Sequence, residues 1–308
     1  IFINPEELSR DLEEMIFAQG EPFSSTSIYA HFRIFKAAKE AGIIVTLDGQ
    51  GADELLAGYE GYPDSYLRSL LDKKEYLFAL NFLLNWSKWP GRGFRRAYLK
   101  LGSAVLKNPN FIRLARTLIG ESLSPSWLNK KYLKEKRVKK DFSNRMPSEA
   151  FKGRRLIGRL LGALKGDGLS SLLRHGDRNS MYWSIESRVP FLTTELAEFI
   201  LQLPEEYLIS PKGQTKFIFR EAMKGIVPDV VLNRKDKIGF ETPEDYWLQK
   251  NIKDIEKWLK ETSLPNFLDK KNSITEINKI LKNPRSSDSK TWRLINFIFW
   301  EKSKNSFS

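Results

Sequence analysis

Two segments near the start of the chain carry apolar residues at helical spacing. In the first segment, the apolar positions are Leu8, Leu12, Met15 and Ile16. Residues spaced in this way share one face of a helix, and the glycine and proline within residues 20–22 indicate its end. In the second segment, which opens with the hydroxyl-rich residues 24–27, they are Ile28, Phe32, Phe35 and Ala38. The pattern predicts two amphipathic helices, the second closed by Gly42.

A short aliphatic run at residues 43–47 follows the second helix. It lacks the alternation of apolar and polar positions, which is typical of a strand buried on both faces. A glycine-containing loop, residues 48–51, comes next, and residues 52–58 predict a further helix. The order of helix, buried strand, loop and helix indicates an α/β sheet. Ligands of such sheets bind at the carboxyl ends of the strands, which is where this loop must lie.

After residue 60 the chain predicts helices and no second buried strand. The predicted helices span residues 67–86, 95–106, 111–119, 169–182, 192–201, 216–224, 252–260, 274–281 and 292–302. Because one strand is too few for a parallel sheet, either the sheet is tiny or its other strands lie upstream of residue 1, and we favour the second explanation. The fold class is therefore an α/β remnant that is mostly helical. Proline and glycine positions divide the chain into residues 1–65, 66–165 and 166–308.

Composition narrows the classes of protein that fit this pattern. With 308 residues and 41% hydrophobic positions, the chain is long and apolar enough for a folded core. Its cysteine count is zero, which excludes disulfides, thiolate metal sites and a cysteine nucleophile in this chain. No apolar run approaches the about 20 residues that span a bilayer, and no secretory signal is visible. We expect a cytoplasmic protein with no membrane partner.

The chain carries 51 Lys and Arg against 38 Asp and Glu, a formal net charge of +13. The positive residues are densest at 130–140, and a second group at 92–100 follows two tryptophans. Lysine and arginine side chains interleaved with aromatic residues can bind a nucleic-acid strand. A basic helical nucleic-acid-binding protein using residues 86–140 is therefore one alternative. No nucleic-acid motif accompanies the charge, and solvated helix faces explain it without a partner.

The loop after the predicted strand has the residue types of a phosphate site. Gly49 and Gly51 flank Gln50, which allows the backbone to approach a ligand closely. Asp53 and Glu54 then occupy the first turn of the next helix, where acidic residues are favourable even without a ligand. Two carboxylates facing a phosphate would repel it unless a divalent cation lay between them. Mg²⁺ bridging one carboxylate and phosphate oxygens is the usual solution.

Three blocks of the sequence resemble motifs of the asparagine synthase family. Residues 47–59 look like its GxGxDExxxGY loop, and residues 172–192 are similar to its DRxSMxxSIExRVPFL signature. Residues 216–243 resemble its RxxKxGFxxP ending, and Trp292 and Trp300 match its closing helix. The blocks occur in the family order and cover most of the chain outside residues 66–165.

The resemblance implies a fold and a reaction. The fold is a partial adenine-nucleotide alpha-hydrolase-like (ATP-pyrophosphatase) sheet with a large helical portion, and the cofactors are ATP and Mg²⁺. In the family, a substrate carboxylate attacks the α-phosphate, which releases pyrophosphate and leaves an acyl-adenylate, and ammonia then displaces AMP. The expected reaction converts aspartate to asparagine. In these terms, residues 1–65 are a partial nucleotide-binding unit, 66–165 a basic helical insertion, and 166–308 the C-terminal helical part of the synthetase domain.

The resemblance also assigns residues to the nucleotide. Asp48, Gly49 and Gly51 occupy positions that line ATP through the backbone. Asp53 resembles the Mg²⁺ ligand that shields the β- and γ-phosphates from the substrate carboxylate. Lys237 matches the family lysine that contacts phosphate and stabilises the negative charge of the transition state. A plain surface lysine is the alternative for this residue.

Two further catalytic candidates are Glu186 and Gln50. Glu186 is placed by the resemblance near the substrate amine or the attacking nitrogen. A buried ion pair with Arg188, two residues on in an extended segment, is nearly as good an explanation. Gln50 stands where one branch of the family has glutamate, and a glutamine orients a substrate but cannot act as a general base. His31 and His175 have no carboxylate or hydroxyl partner at motif spacing, so we interpret both as non-catalytic.

The sequence departs from the family pattern in ways that affect the function. It contains no SGGxDS pyrophosphate loop and no cysteine glutaminase domain, and Thr193 replaces a common aspartate. We therefore expect these residues to be the C-terminal part of a longer synthetase that is inactive alone, with a homodimer as one option for its assembly. Gln50 leaves the acceptor open, so an amidotransferase of the same fold that acts on a sugar acid or another carboxylate is the second alternative.

Overall fold

The computed structural model describes residues 1–89, 93, 125–138, 149–166, 168–235, 239–240, 242–282 and 289–304. Within these ranges the structure is mostly helical with one small parallel sheet. The predicted helices at 95–106 and 111–119 lie outside the described residues, and so does the candidate Lys237. No helix in the described part of the chain is both long and apolar enough to cross a membrane.

The described elements run in the following order. They are α1 (Glu7–Gln19), α2 (Ser27–Glu40), β1 (Val45–Leu47), α3 (Ala52–Leu55), α4 (Tyr62–Asp72), α5 (Tyr76–Ser87), α6 (Lys130–Glu135), α7 (Arg155–Lys165), α8 (Leu169–Tyr182), β2 (Glu186–Arg188), α9 (Thr194–Gln202), α10 (Glu205–Leu208), α11 (Phe217–Ala222), α12 (Asp229–Leu232), α13 (Glu244–Lys250), α14 (Ile252–Glu261), α15 (Lys270–Lys282) and α16 (Ser289–Ser303). Short 3₁₀ turns occupy Glu149–Phe151 and Pro190–Leu192.

Periodicity predicted most of the long helices, but it missed α7 and joined two other helices into one. The apolar faces of α1 and α2 are buried as expected, and α8 has the predicted bounds. The single helix predicted at 67–86 is wrong, because the chain forms α4 and α5 instead. Lys74 adopts a left-handed conformation at φ 62°, and the Glu75 amide donates to the carbonyl of Leu70 at 2.9 Å. That turn ends the first helix without a glycine or a proline.

Two hydrophobic cores hold the helices. The first joins α1 and α2 to α13–α16 and includes Leu12, Phe32 and Trp292. The second joins α3, α4, α5 and α7 and includes Leu67 and Leu156. In the second core α7 packs directly on α4. The chain after residue 149 thus folds back onto a helix that lies before residue 90.

The sheet consists of β1 and β2 in the described residues. They pair in parallel, with Val45 opposite Glu186 and Leu47 opposite Arg188. The expected burial of the first strand on both faces is wrong, because Ile44 is 73% exposed and Leu47 is 75% exposed. A strand becomes buried on both faces only inside a sheet with layers above and below it, and two strands do not provide this.

The second core encloses a carboxyl group that is short of partners. Glu205 is 2% exposed at the start of α10, and its Oε1 accepts a hydrogen bond from the Ile157 amide at 3.1 Å. Burial raises the pKa of the Glu205 carboxyl above its ordinary value. The folded state therefore binds this proton more tightly than the unfolded state. As pH rises from below the ordinary glutamate pKa to above the pKa in the folded state, the free energy of unfolding falls.

We expect Glu205→Gln to increase the free energy of unfolding at pH 7 by about 1 kcal/mol, because the amide removes a buried charge. The gain should shrink as pH falls below the ordinary glutamate pKa, where the native carboxyl is neutral as well. Urea unfolding at both pH values measures the difference. Glu206→Gln is the matched control on the exposed neighbour and should change little. A gain that does not depend on pH would contradict this account.

Candidate functional site

The two strands bring distant parts of the sequence to one edge of the sheet. The Asp48 amide donates to the carbonyl of Arg188 at 2.7 Å, and the Glu186 amide donates to the carbonyl of Ile44 at 2.9 Å. The loop at residues 48–51 thus leaves the sheet beside the end of β2. Of the candidates, the loop residues 48–51 thus follow the end of β1 beside Arg188, whereas Glu186 begins β2 opposite Val45.

Glu186 forms the ion pair that its spacing suggested, but in a different environment. Its Oε1 lies 2.7 Å from Arg188 Nε, and both side chains are more than half exposed. The expectation of a buried pair is wrong, because β2 is an exposed edge of a two-stranded sheet. The hydrogen bond and the charge of Arg188 hold the pKa of the Glu186 carboxyl below its ordinary value.

Asp48 organises the loop that follows the first strand. Its Oδ1 accepts a hydrogen bond from the Gln50 amide at 3.2 Å, and its Oδ2 lies 3.3 Å from Nε2 of His31. The hydrogen bond with His31 lowers the pKa of the Asp48 carboxyl, against the opposing effect of burial. Motif spacing offered no partner for His31, and its partner in the structure comes from the end of β1, a contact that no motif spacing encodes.

The glycines of the loop serve different purposes. Gly51 has φ 89°, and a Cβ there would overlap the side chain of Leu192. Gly58 is equally constrained, because a Cβ would overlap the carboxylate of Asp53. Gly49 is exposed, and a Cβ added there would meet no atom within 4 Å. Space for a ligand close to the backbone thus exists at Gly49, whereas Gly51 is required for packing.

Asp53, the expected magnesium ligand, contacts a cation of the protein itself. Its Oδ1 lies 2.8 Å from Nζ of Lys216. Lys216 adopts φ 56° just before α11, and its amide donates to the carbonyl of Leu56 at 3.1 Å. The lysine is thus held against the same helix turn as Asp53. Sequence reasoning placed Lys216 in a motif block but gave it no role.

The other carboxylate of the acidic pair faces inward. Glu54 is 2% exposed, and its Oε1 accepts a hydrogen bond from the Tyr59 hydroxyl at 2.6 Å. Within the described residues, no group of three or more histidine, aspartate or glutamate side chains is arranged to hold a metal ion. With one acid buried and the other paired with Lys216, the described residues do not by themselves form a magnesium site.

The third motif block returns to the loop, although Lys237 lies outside the described residues. The Arg220 guanidinium donates to the carbonyls of Leu232 and Arg234, the latter at 3.1 Å. This anchors the segment that leads to Lys237. Beyond it, the ring of Phe240 contacts His31 edge-on, with ring centroids 6.4 Å apart.

The helix of the second block is held by structural contacts. Arg178 pairs with Glu21 at 3.0 Å. His175 is buried, and its Nδ1 lies 2.6 Å from Oε1 of Gln19. Burial lowers the pKa of the His175 ring, so its neutral form is favoured. These contacts fix α8 against α1.

Comparison with known proteins gives matches over nearly the whole chain. The family model described as asparagine synthase matches residues 1–302. The glutamine-hydrolyzing asparagine synthetase 1 of Bacillus subtilis strain 168 is 27% identical over 304 residues, which cover 97% of this chain and 46% of that protein. A putative asparagine synthetase of Mycobacterium tuberculosis H37Rv is 26% identical over 97% of this chain and 45% of its own length.

A fungal relative carries a different name. The amidase chyE of Penicillium rubens is 23% identical over 82% of this chain and 41% of its own length. The chain thus spans less than half the length of each of these curated relatives. No solved structure matches the chain significantly.

The two loop glycines offer a matched test of this geometry. We expect Gly51→Ala to lower the free energy of unfolding by about 2 kcal/mol, because of backbone strain and overlap with Leu192. Gly49→Ala should change it by about 0.5 kcal/mol or less, since the position is open. Urea unfolding of both variants measures the difference. Equal losses would show that the loop does not pack on Leu192 as described.

Proposed function

Because the chain belongs to the asparagine synthase family, we propose that it is the synthetase portion of an ATP-dependent ligase that forms an amide from a carboxylate. The observation that carries the proposal is the parallel pairing of β1 with β2. It sets the 48–51 loop of the first block beside Arg188, at the end of β2, with Glu186 of the second block two residues back on the same strand. The carboxyl end of a parallel sheet is the usual position of a nucleotide site in such folds.

The reaction we propose passes through an acyl-adenylate. The acceptor carboxylate attacks the α-phosphate of ATP, the bond between the α- and β-phosphates breaks, and pyrophosphate leaves. Ammonia then attacks the acyl carbon and displaces AMP. Two lysines would neutralise the negative charge of the phosphates. They are Lys216 and, on the basis of its motif, Lys237, and a fixed positive group is most effective beside charge that develops in the transition state.

ATP in this proposal binds along the open backbone at Gly49, with Asp48 shaping the turn. Mg²⁺ would have Asp53 as a single protein ligand and would take its other oxygens from phosphate and water, a common arrangement for this ion. The pairing of Asp53 with Lys216 in the structure requires that the lysine then turn toward phosphate. On binding of ATP and Mg²⁺ the ion pair would thus separate, with Asp53 facing the metal and Lys216 facing phosphate.

Aspartate is the acceptor that we propose, with Glu186 toward the attacking nitrogen and Gln50 orienting the acceptor. Gln50 is half-buried, and its amide is held by Asp48, so its side chain starts from a fixed backbone. A glutamine can hydrogen-bond an acceptor but cannot remove a proton. For that reason a sugar acid or another carboxylate is the second candidate, and an amidase among the relatives is consistent with variation of the acceptor.

We also propose that further parallel strands complete the sheet. Exposed aliphatic side chains on both faces of β1 are typical of a strand that lacks its neighbours. The relatives are more than twice as long as the part that they share with this chain. The additional segment would supply the glycine-rich phosphate loop, and a glutaminase domain would supply ammonia.

The function is tested by the products formed by the complete reading frame that contains these residues. We expect AMP and pyrophosphate in equal amounts, dependent on an added carboxylate, with aspartate compared directly with uronic acids. Chromatography of nucleotides measures AMP. Formation of AMP that is independent of any carboxylate, or formation of ADP instead, would contradict the proposal.

Asp53→Asn in the same protein should lower kcat/KM for ATP by about 100-fold, because the metal ion that would neutralise the reacting phosphates loses its carboxylate ligand. Asp254→Asn, on the exposed surface of α14, is the matched control and should leave the rate unchanged. If both variants keep the native rate, Asp53 has no role in nucleotide chemistry.

The isolated chain of 308 residues should catalyse ATP–pyrophosphate exchange only at background level, since it lacks the glycine-rich loop expected to hold pyrophosphate. Exchange of labelled pyrophosphate into ATP, measured with aspartate present, gives the answer. Robust exchange by this chain alone would show that its own residues form a complete phosphate site.

A further inference from the structure

The contacts of His31 connect all three motif blocks. Its Nε2 lies 3.3 Å from Oδ2 of Asp48 in the first block. Its Cε1 would lie 3.6 Å from a Cβ at Gly176, on the helix of the second block. The ring of Phe240, in the third block, packs against it edge-on. One side chain on α2 thus touches the segments that carry the proposed site.

The imidazole is held in place by its neighbours. The ring of Phe35, one turn along the same helix, packs against it at a centroid distance of 4.5 Å. Phe240 closes another side, and only 20% of the His31 side chain is exposed. A ring packed in this way has little freedom to rotate, so the direction of its Nε2 toward Asp48 is fixed.

The Asp48 carboxylate, which His31 contacts, also accepts a hydrogen bond within the loop. While Oδ2 faces the imidazole, Oδ1 accepts the hydrogen bond of the Gln50 amide at 3.2 Å. Contact at both oxygens fixes the rotation of the Asp48 side chain. The turn formed by residues 48–50 then depends on the imidazole, because a carboxylate free to rotate would lose the hydrogen bond with Gln50 for part of the time.

We propose that His31 is a positioning residue of the nucleotide site. Its Nε2–H donates to Asp48, and through this carboxylate it keeps the 48–51 loop in the shape that presents the Gly49 backbone to ATP. The role in nucleotide binding rests on the proposed function, whereas the effect on the loop does not. His31 itself touches no reacting atom in this account.

Two polar substitutions separate this role from simple packing. In His31→Gln the side-chain amide nitrogen can occupy the place of Nε2, whereas in His31→Asn it corresponds to Nδ1 and is too short to reach Asp48. The first readout is hydrogen exchange of the Gln50 amide in the 308-residue chain. We expect exchange about threefold to tenfold faster in the asparagine variant, which is the effect of losing one hydrogen bond, and near-native exchange in the glutamine variant.

Internal controls come from the same spectra. The Glu186 amide, which bonds to Ile44 within the sheet, should exchange at the native rate in both variants, because the sheet is not altered. Equal Gln50 exchange in the native chain and both variants would overturn the proposal. Equal acceleration in both variants would do the same, since it would mean that the ring acts by packing alone.

The second readout is the KM for ATP in the complete reading frame. We expect His31→Asn to raise it about tenfold, the effect of about 1.4 kcal/mol of binding, with a smaller change in kcat, and His31→Gln to restore it. An unchanged KM together with faster Gln50 exchange would overturn the role in nucleotide binding. If the native protein forms no AMP from ATP at all, the proposed function fails, and the exchange of Gln50 still decides whether His31 holds the loop.

Discussion

The parallel pairing of two three-residue strands is the constraint on which the rest of the site depends. It joins Val45 to Glu186 and Leu47 to Arg188, which are far apart along the chain. Without it, the loop after β1 would have no fixed relation to the second motif block. So short a ladder contributes little stability by itself, and the helices of both cores must hold the strands in register. Phe35, Ala38 and Ile185 form the small cluster that packs the sheet against α2 and α8.

The pairing of acidic side chains with basic ones is the second theme of the site. Asp48 faces His31, Asp53 faces Lys216, and Glu186 faces Arg188. In the first two pairs the partner comes from a distant part of the chain, so the pair fixes one element relative to another. The third pair joins residues two apart on an exposed strand, where water and salt screen the attraction between the charges. The first two are therefore the pairs that shape the loop, and the third is available to turn toward a substrate.

The sequence predicted features that depend on neighbouring residues. It did not predict contacts between segments that are far apart along the chain. Helical periodicity identified α1 and α2, because each buries an apolar face. The bounds of α8 were also predicted, although its buried residues other than Leu169 are polar. The motif blocks and the family were also recoverable, since they are runs of adjacent residues. The partners of Asp48 and Asp53 were not, because each contact depends on how whole elements pack. The break at Lys74 was missed for a related reason: a lysine at positive φ leaves no sequence signal.

The exposure of β1 follows from the same distinction between local pattern and context. An aliphatic run such as residues 43–47 indicates that burial is favourable, and the exposed Ile44 and Leu47 show that the described residues do not supply it. Side chains of both faces would lose contact with water if strands and helices were added beside β1. The polar loop at its carboxyl end already has its shape in their absence, through Asp48, Lys216 and Leu192. We infer that the loop is preorganised by the helical part of the chain, through the contacts of Asp53 with Lys216 and of Gly51 with Leu192.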